Sequence, residues 1–270
     1  MLQQVTNGVW THESSCIQSN TTIIKGEAGV LLVDPGLTSD ELVSIADKLD
    51  EMGLPVVAGF STHPHWDHVL WHDRFGNVPR YGTAAAAAQM KESLSNPDWQ
   101  EEEARDLPEE IAGQVPLDGL FGKITALPSG TAAIPWDGPK VTVIEHNGHA
   151  PGHAALYIEE GGVLVAGDML SDVFMPMLNL AAADPIGDYL KALDMIEDVA
   201  SDASFVIPGH GSVGEQVRER IALDRRYVEA LRDGNSTDDP RIVTPKQGWE
   251  WVAGIHDWQA KMISSSGGYF

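Results

Sequence analysis

A chain of 270 residues can bury a sizeable core without cross-links, and a single cysteine, Cys16, excludes an intrachain disulfide. Forty acidic residues against 17 basic ones give a formal charge of -23, which repels phosphate backbones and argues against a nucleic-acid partner. No apolar stretch reaches bilayer length, and MLQQVTNGVW lacks a basic-then-apolar leader, so the expectation is a cytoplasmic protein with no membrane partner.

Two β-rich runs, TTIIK (21–25) and GVLLVD (29–34), are joined by a turn and predict a hairpin. TSDELVSIADKLDEMG follows. Leu42, Ile45, Ala46 and Leu49 share one helical face, Thr38 with Glu41 forms a capping box, and Gly53 stops the helix. PVVAGF (55–60) predicts a buried strand that runs into FSTHPHWDHVLWH (60–72), where four histidines and an aspartate crowd thirteen positions. The run AAAAA (84–88) reads as helix. Residues 96–140, rich in proline and containing the solvated run EEE (101–103), read as an irregular excursion.

The second half repeats the pattern. VTVIE (141–145), AALYIE (154–159) and VLVAGD (163–168) predict strands, with Gly161-Gly162 as a turn. Residues 186–200 predict an amphipathic helix, FVIPGHG (205–211) another buried strand, and 215–233 a long helix ended by Gly234. From about 238 a C-terminal extension holds Trp249, Trp251 and Trp258, expected to dock aromatics on the body. The expected organisation is one domain over 1–270 of the α/β class, with two central sheets and helices outside.

The chemistry-bearing residues follow strands. His63, His65, Asp67 and His68 come after one, His146, His149 and His153 lie between two, and Asp168 and His210 each end another. Strand ends gather at one rim of such a sheet, so these groups can converge. Imidazoles with carboxylates suit zinc, manganese or iron. Their number exceeds the four ligands of a closed structural zinc site, which points to two ions with open positions.

THPHWDH (62–68) resembles the His-x-His-x-Asp-His signature of the metallo-β-lactamase-fold hydrolases. HAPGHAAL (149–156), VAGDML (165–170) and VIPGHG (206–211) are similar to their later segments, and LLVDPGL (31–37) to their second strand. The resemblance spans roughly residues 7–232. It implies an αββα four-layer sandwich with two mixed sheets and two divalent cations, zinc or alternatively manganese or iron. In that family's pattern His63, His65 and His153 hold one ion, Asp67, His68 and His210 the other, and Asp168 bridges them. Asp67 is also expected to orient the attacking water. Asp34 becomes a candidate support for a ligand histidine, and His149, His72, Trp66 and Trp71 candidates for surrounding the site or a pocket.

A bridging aspartate sides with the glyoxalase II and lactonase-like branch. The expected activity is therefore hydrolysis of a small ester, lactone, amide or thioester. The bulky VLW (69–71) departs from the small residues that usually follow the signature. An iron oxidoreductase of the same fold, similar to persulfide dioxygenases, is the alternative, and a phosphodiesterase is a weaker one.

Overall fold

A computed structural model describes residues 1–235 and 237–266. The first sheet takes its strands in chain order: β1 (Gln3–Thr6), β2 (Val9–Glu13), β3 (Asn20–Lys25), β4 (Val30–Val33), β5 (Val56–Phe60), β6 (Arg80–Gly82) and β7 (Thr125–Ala126). It is antiparallel through β4 and parallel from β4 to β7. The second sheet has the order β11-β10-β9-β8, from β8 (Val141–His146), β9 (His153–Ile158), β10 (Val163–Gly167) and β11 (Phe205–Pro208); only β10 and β11 run parallel.

Burial on both faces explains the apolar runs. In β3 and β4, Ile24, Leu31 and Val33 point between the sheets, while Ile23, Val30 and Leu32 pack on α1 (Ser39–Met52). In β10, Val163 and Val165 meet the first sheet. Leu164 and Ala166 face α4 (Pro185–Ala200) and α5 (Val217–Arg232). Period-two alternation with both faces buried leaves continuous hydrophobic strands. The result is the expected four-layer order of helix, sheet, sheet and helix.

The boundaries of α1 follow from its caps. Thr38 and Glu41 form the reciprocal capping box, and Gly53 terminates the helix at φ 67°, a left-handed conformation that favours glycine. The hairpin of β1 and β2 precedes the two strands expected to open the fold. The 96–140 excursion is also more regular than expected. It contains α3 (Trp99–Asp106), and Trp99 stacks on Phe121 at 5.1 Å between ring centroids.

That excursion explains the bulky residues after the histidine motif. Val69 and Leu70 are buried in one cluster with Leu37, Leu107, Val115 and Phe121, so they anchor the excursion to the body. The remaining helices are α2 (Ala84–Ser93), the short α6 (Pro240–Val243) and α7 (Val252–Ser266). In the C-terminal extension Trp249 is buried as expected, whereas Trp251 and Trp258 are about half exposed, 46% and 49%.

Candidate metal centre

The site forms where the ends of β4, β5, β10 and β11 meet the loop between β8 and β9. Past β5 the chain runs through Ser61 and Thr62 into His63, then makes a single 3-10 turn over Trp66–His68. That turn presents Asp67 and His68 beside His63 and His65. Asp168 directly follows β10. Asn20 at the start of β3 donates its side-chain N–H to the carbonyls of Pro208 (3.0 Å) and Gly211 (2.7 Å), tying the β11 end that carries His210 to the first sheet.

Two groups of ligand-type atoms result, each with its atoms within 4.8 Å of one another: His63, His65, His149 and Asp168, and Asp67, His68 and His210. Asp168 stands between them. Its Oδ2 lies 3.7 Å from His63 Nε2, 3.4 Å from His149 Nε2 and 3.4 Å from His210 Nε2, while its Oδ1 lies 3.1 Å from His68 Nε2. Asp67 Oδ2 sits 3.3 Å from His68 Nε2 and 3.2 Å from His210 Nε2.

Four of these rings have one nitrogen tied to an oxygen and the other turned inward. His63 Nδ1 meets Thr62 Oγ1 at 3.1 Å, and His68 Nδ1 meets Asp34 Oδ2 at 2.9 Å. His149 Nδ1 donates to the Met177 carbonyl and His210 Nδ1 to the Ile17 carbonyl, both at 2.9 Å. Fixing one nitrogen as the donor turns the other toward the centre, the arrangement that orients imidazoles toward a cation. Asp34 also accepts from the Thr62 N–H at 2.8 Å and its hydroxyl at 2.6 Å, so one carboxylate holds the whole start of the histidine loop.

The inward atoms test whether a cation fits. His63 Nε2 is buried without a hydrogen-bond partner, and His68 Nε2 and Asp168 Oδ1 face each other at 3.1 Å without hydrogen-bond geometry. Stranding such atoms is costly unless something else satisfies them. A donor set of imidazole nitrogens and carboxylate oxygens suits zinc, manganese or iron. Both His/Asp groups offer the donor atoms that a bound metal ion needs.

Charge is arranged for the same purpose. Burial, together with neighbouring imidazoles, pushes His63 well below the usual range and His65 down to about 3. Burial also lowers His149. These three are neutral and can offer lone pairs. Burial opposes protonation of His68 and His210 too, but the carboxylates of Asp67 and Asp168 outweigh it, holding His68 well above its ordinary value and His210 at about 10. Against burial, the same rings hold Asp67 and Asp168 far below the carboxylate range. The centre is built to hold positive charge between two fixed anions.

One expected grouping is different. His149, rather than His153, joins His63 and His65. His153 opens β9, so its ring is fixed by the strand and packs edge-on to His146 at 4.5 Å and to His63 at 4.8 Å, behind the inward nitrogens. Both its ring nitrogens are buried without a hydrogen-bond partner. A Cβ at Gly167, which has φ 54°, would overlap His153 Nε2, and one at Gly209 would overlap Asp168 Oδ1. Glycine is therefore required at both positions for this packing.

The surrounding candidates separate clearly. Asp34 is in place beside His68. His72 is turned away, accepting the Arg74 N–H at 3.2 Å at the start of a short turn. Trp71 is buried against Phe75 and α1, where a Cβ on Gly59 would strike it, and its edge lines a cleft with Arg80, Leu120 and Thr125 that contains none of the candidate ligands. Trp66 packs beside the cluster that anchors the excursion. Phe174, unanticipated from sequence, lies 6.2 Å from the His210 ring and leads to the stacked pair Trp249–Trp251.

Fold and site together define a metallo-hydrolase framework. The profile described as the metallo-beta-lactamase superfamily matches residues 15–210, and the chain belongs to that superfamily. It is 27% identical over 200 residues to a probable metallo-hydrolase of Streptococcus pyogenes, covering 71% of this chain and 78% of that protein. It is 26% identical over 245 residues to the probable metallo-hydrolase YqjP of Bacillus subtilis, covering 78% and 73%. Among solved structures, a beta-lactamase domain protein from Burkholderia ambifaria superposes with a TM-score of 0.65 at 24% identity, covering 86% of this chain and 77% of that one. The sec-alkylsulfatase Pisa1 from Pseudomonas shares the fold at a TM-score of 0.68 and 17% identity, over 86% of this chain and 42% of its own. No helix among the described residues is long and apolar enough to cross a membrane.

Proposed function

We propose that the chain is a hydrolase that holds two divalent cations, zinc in the first instance, and cleaves a small ester, lactone, amide or thioester. His63, His65 and His149 would hold one ion, Asp67, His68 and His210 the other, with Asp168 shared. The observation that carries this reading is the placement of Asp168, whose two oxygens reach both groups within 3.1–3.7 Å.

A pair of such ions, when bound, polarises a carbonyl and brings the pKa of a shared water from 15.7 toward about 7. The chain's own residues prepare for that chemistry. Asp34 and Thr62 fix the His63 and His68 rings, and the Met177 and Ile17 carbonyls fix those of His149 and His210. Asp67 and Asp168 stay ionised, so they accept hydrogen bonds from an attacking water without taking up its proton beforehand. Asp67 is well placed to orient it.

The complete second group weighs against the mononuclear iron oxidoreductase, which needs one ligand set only. The net charge of -23 weighs against a polyanionic phosphodiester. The test is metal quantification on the purified protein, with turnover measured on a lactone, a thioester, a β-lactam, an alkyl sulfate and a phosphodiester. Two zinc ions per chain and zinc-dependent cleavage of an acyl substrate are expected. A single iron with oxygen consumption would replace this reading with the oxidoreductase.

A further inference from the structure

The superfamily match ends at residue 210, yet three side chains from the C-terminal extension reach back to the metal centre. Gln259 on α7 is fully buried. Its Oε1 accepts the Leu178 N–H at 2.8 Å, and its Nε2 donates to the Pro176 carbonyl at 2.8 Å and to the Tyr227 hydroxyl at 3.0 Å. One amide orientation satisfies all three. Pro176 and Leu178 flank Met177, whose carbonyl holds His149 Nδ1.

Trp249 donates its indole N–H to Gln18 Oε1 at 3.0 Å. Gln18 and Ile17 both have left-handed backbones, φ 43° and 46°, which non-glycine residues adopt only when held there. The Ile17 carbonyl holds His210 Nδ1, and the Gln18 carbonyl accepts the Gly211 N–H at 3.0 Å. Arg241 completes the set. It pairs with Asp224 at 2.6 Å and donates to the Ser171 carbonyl at 2.9 Å; Asp224 in turn accepts the N–H of Leu170, another left-handed residue at φ 60°, two positions after Asp168.

We propose that the C-terminal extension is a positioning clamp for the metal centre, in which Gln259 sets His149 through the Met177 carbonyl and Trp249 sets His210 through the Ile17–Gln18 turn. This rests on the ligand reading above. It assigns the two ends of the extension to different ions: Gln259 acts on the His63, His65 and His149 group, Trp249 on the Asp67, His68 and His210 group. Neither residue touches a substrate or a ligand atom. Their effect passes entirely through backbone carbonyls that orient imidazoles.

The experiment uses the full chain, Zn(II) affinity by competition with a chromophoric chelator, and Co(II) absorption as a reporter of coordination geometry. Gln259→Met keeps the volume and removes the amide; Trp249→Phe keeps an aromatic ring and removes the N–H. Losing a direct partner of a ligand costs 10–100-fold in affinity, so a residue one link further out is expected to cost about three- to tenfold at one of the two ions. Tyr157→Phe, which loses a hydrogen bond to the Asp202 carbonyl far from the centre, controls for general loosening and should leave Zn(II) affinity unchanged.

The decisive arm is a double-mutant cycle. In a His149→Ala background Gln259→Met should have no further effect on Zn(II) affinity, while Trp249→Phe still does; in a His210→Ala background the pattern reverses. Additive losses in both backgrounds, or wild-type affinities in both single variants, overturn the clamp. Failure of the unaltered protein to bind Zn(II) at all overturns the ligand reading instead, so the two are told apart.

Discussion

Asp34 and His68 are 34 positions apart in sequence and share a buried 2.9 Å hydrogen bond at the floor of the metal centre. Asp34 accepts from Thr62 twice as well, so its carboxylate is saturated with donors from one loop. Asp34→Asn replaces one acceptor oxygen by an NH₂ group that must face a donor. We expect Zn(II) affinity to fall about 10- to 100-fold at the ion held by His68, with the far-ultraviolet circular dichroism unchanged. An unaltered dissociation constant would remove Asp34 from the account.

Asp168 is grouped with His63, His65 and His149, and its oxygens also lie 3.1 Å from His68 Nε2 and 3.4 Å from His210 Nε2. Asp168→Ala should therefore lower zinc content at both positions and abolish turnover together. Asp67→Asn keeps a neutral oxygen ligand but loses the anion beside the attacking water, so zinc should be partly retained while turnover falls by two orders of magnitude or more, roughly the scale of a lost acid–base contribution. Metal analysis and kcat on the same preparations check this. Full hydrolysis by Asp168→Ala refutes the paired-ion centre.

The fold was largely readable because its punctuation is local. Thr38, Glu41 and Gly53 bracket α1 within a residue, and the valine–leucine runs of β4 and β10 announce strands buried on both faces. Strands β6 and β7, three and two residues long, carry too little pattern to be seen. The site was readable to the level of one loop. Gly148-His149 and Gly152-His153 look alike in sequence, and only the start of β9 at His153 decides which ring joins His63 and His65. Gln259 was invisible for a different reason: a polar residue on a terminal helix gives no sign that it will be wholly buried 81 positions from its partner.

Arg241 forms a bidentate pair with Asp239 and a third ionic contact with Asp224, all nearly fully buried. Arg241→Met leaves two carboxylates without their cation in a low-dielectric interior. Breaking a buried pair in this way costs about 3–5 kcal/mol. Urea unfolding of the cation-free protein should report a loss of that size with little change in its slope. A loss below about 1 kcal/mol, the scale of an exposed pair, would contradict the burial.

Cation uptake should depend steeply on pH, and the sign follows from the raised histidines. In the cation-free fold His68 and His210 hold protons far above the ordinary value of about 6.5, His210 up to about 10. Their contribution to folding is present below about 6.5 and is lost as pH rises through the folded values, so the cation-free protein should lose stability between about 6.5 and 10. A bound ion displaces the same protons. Zn(II) affinity should then increase with pH from 6 to 9, with about two protons released per filled Asp67–His68–His210 group, countable by calorimetry in buffers of different ionisation enthalpy. Affinity that is flat over this range would mean that those rings are already unprotonated before the ion arrives.

Gly209 separates packing from chemistry most cleanly. It precedes His210, and a methyl group there would overlap Asp168 Oδ1, whereas the backbone at that position needs no left-handed conformation. Gly209→Ala therefore adds one carbon beside the shared carboxylate without altering any ligand. The methyl must displace either Asp168 or the end of β11, and overpacking of this kind costs about 1–3 kcal/mol. Zinc content should drop from two ions toward one while the sheet remains intact. Gly254→Ala, a helical position on α7 whose added Cβ meets nothing within 4 Å, should leave zinc content unchanged and raise stability by up to about 1 kcal/mol. Two tightly held zinc ions in Gly209→Ala would show that Asp168 can move without loss, and would remove the case for a shared bridging carboxylate.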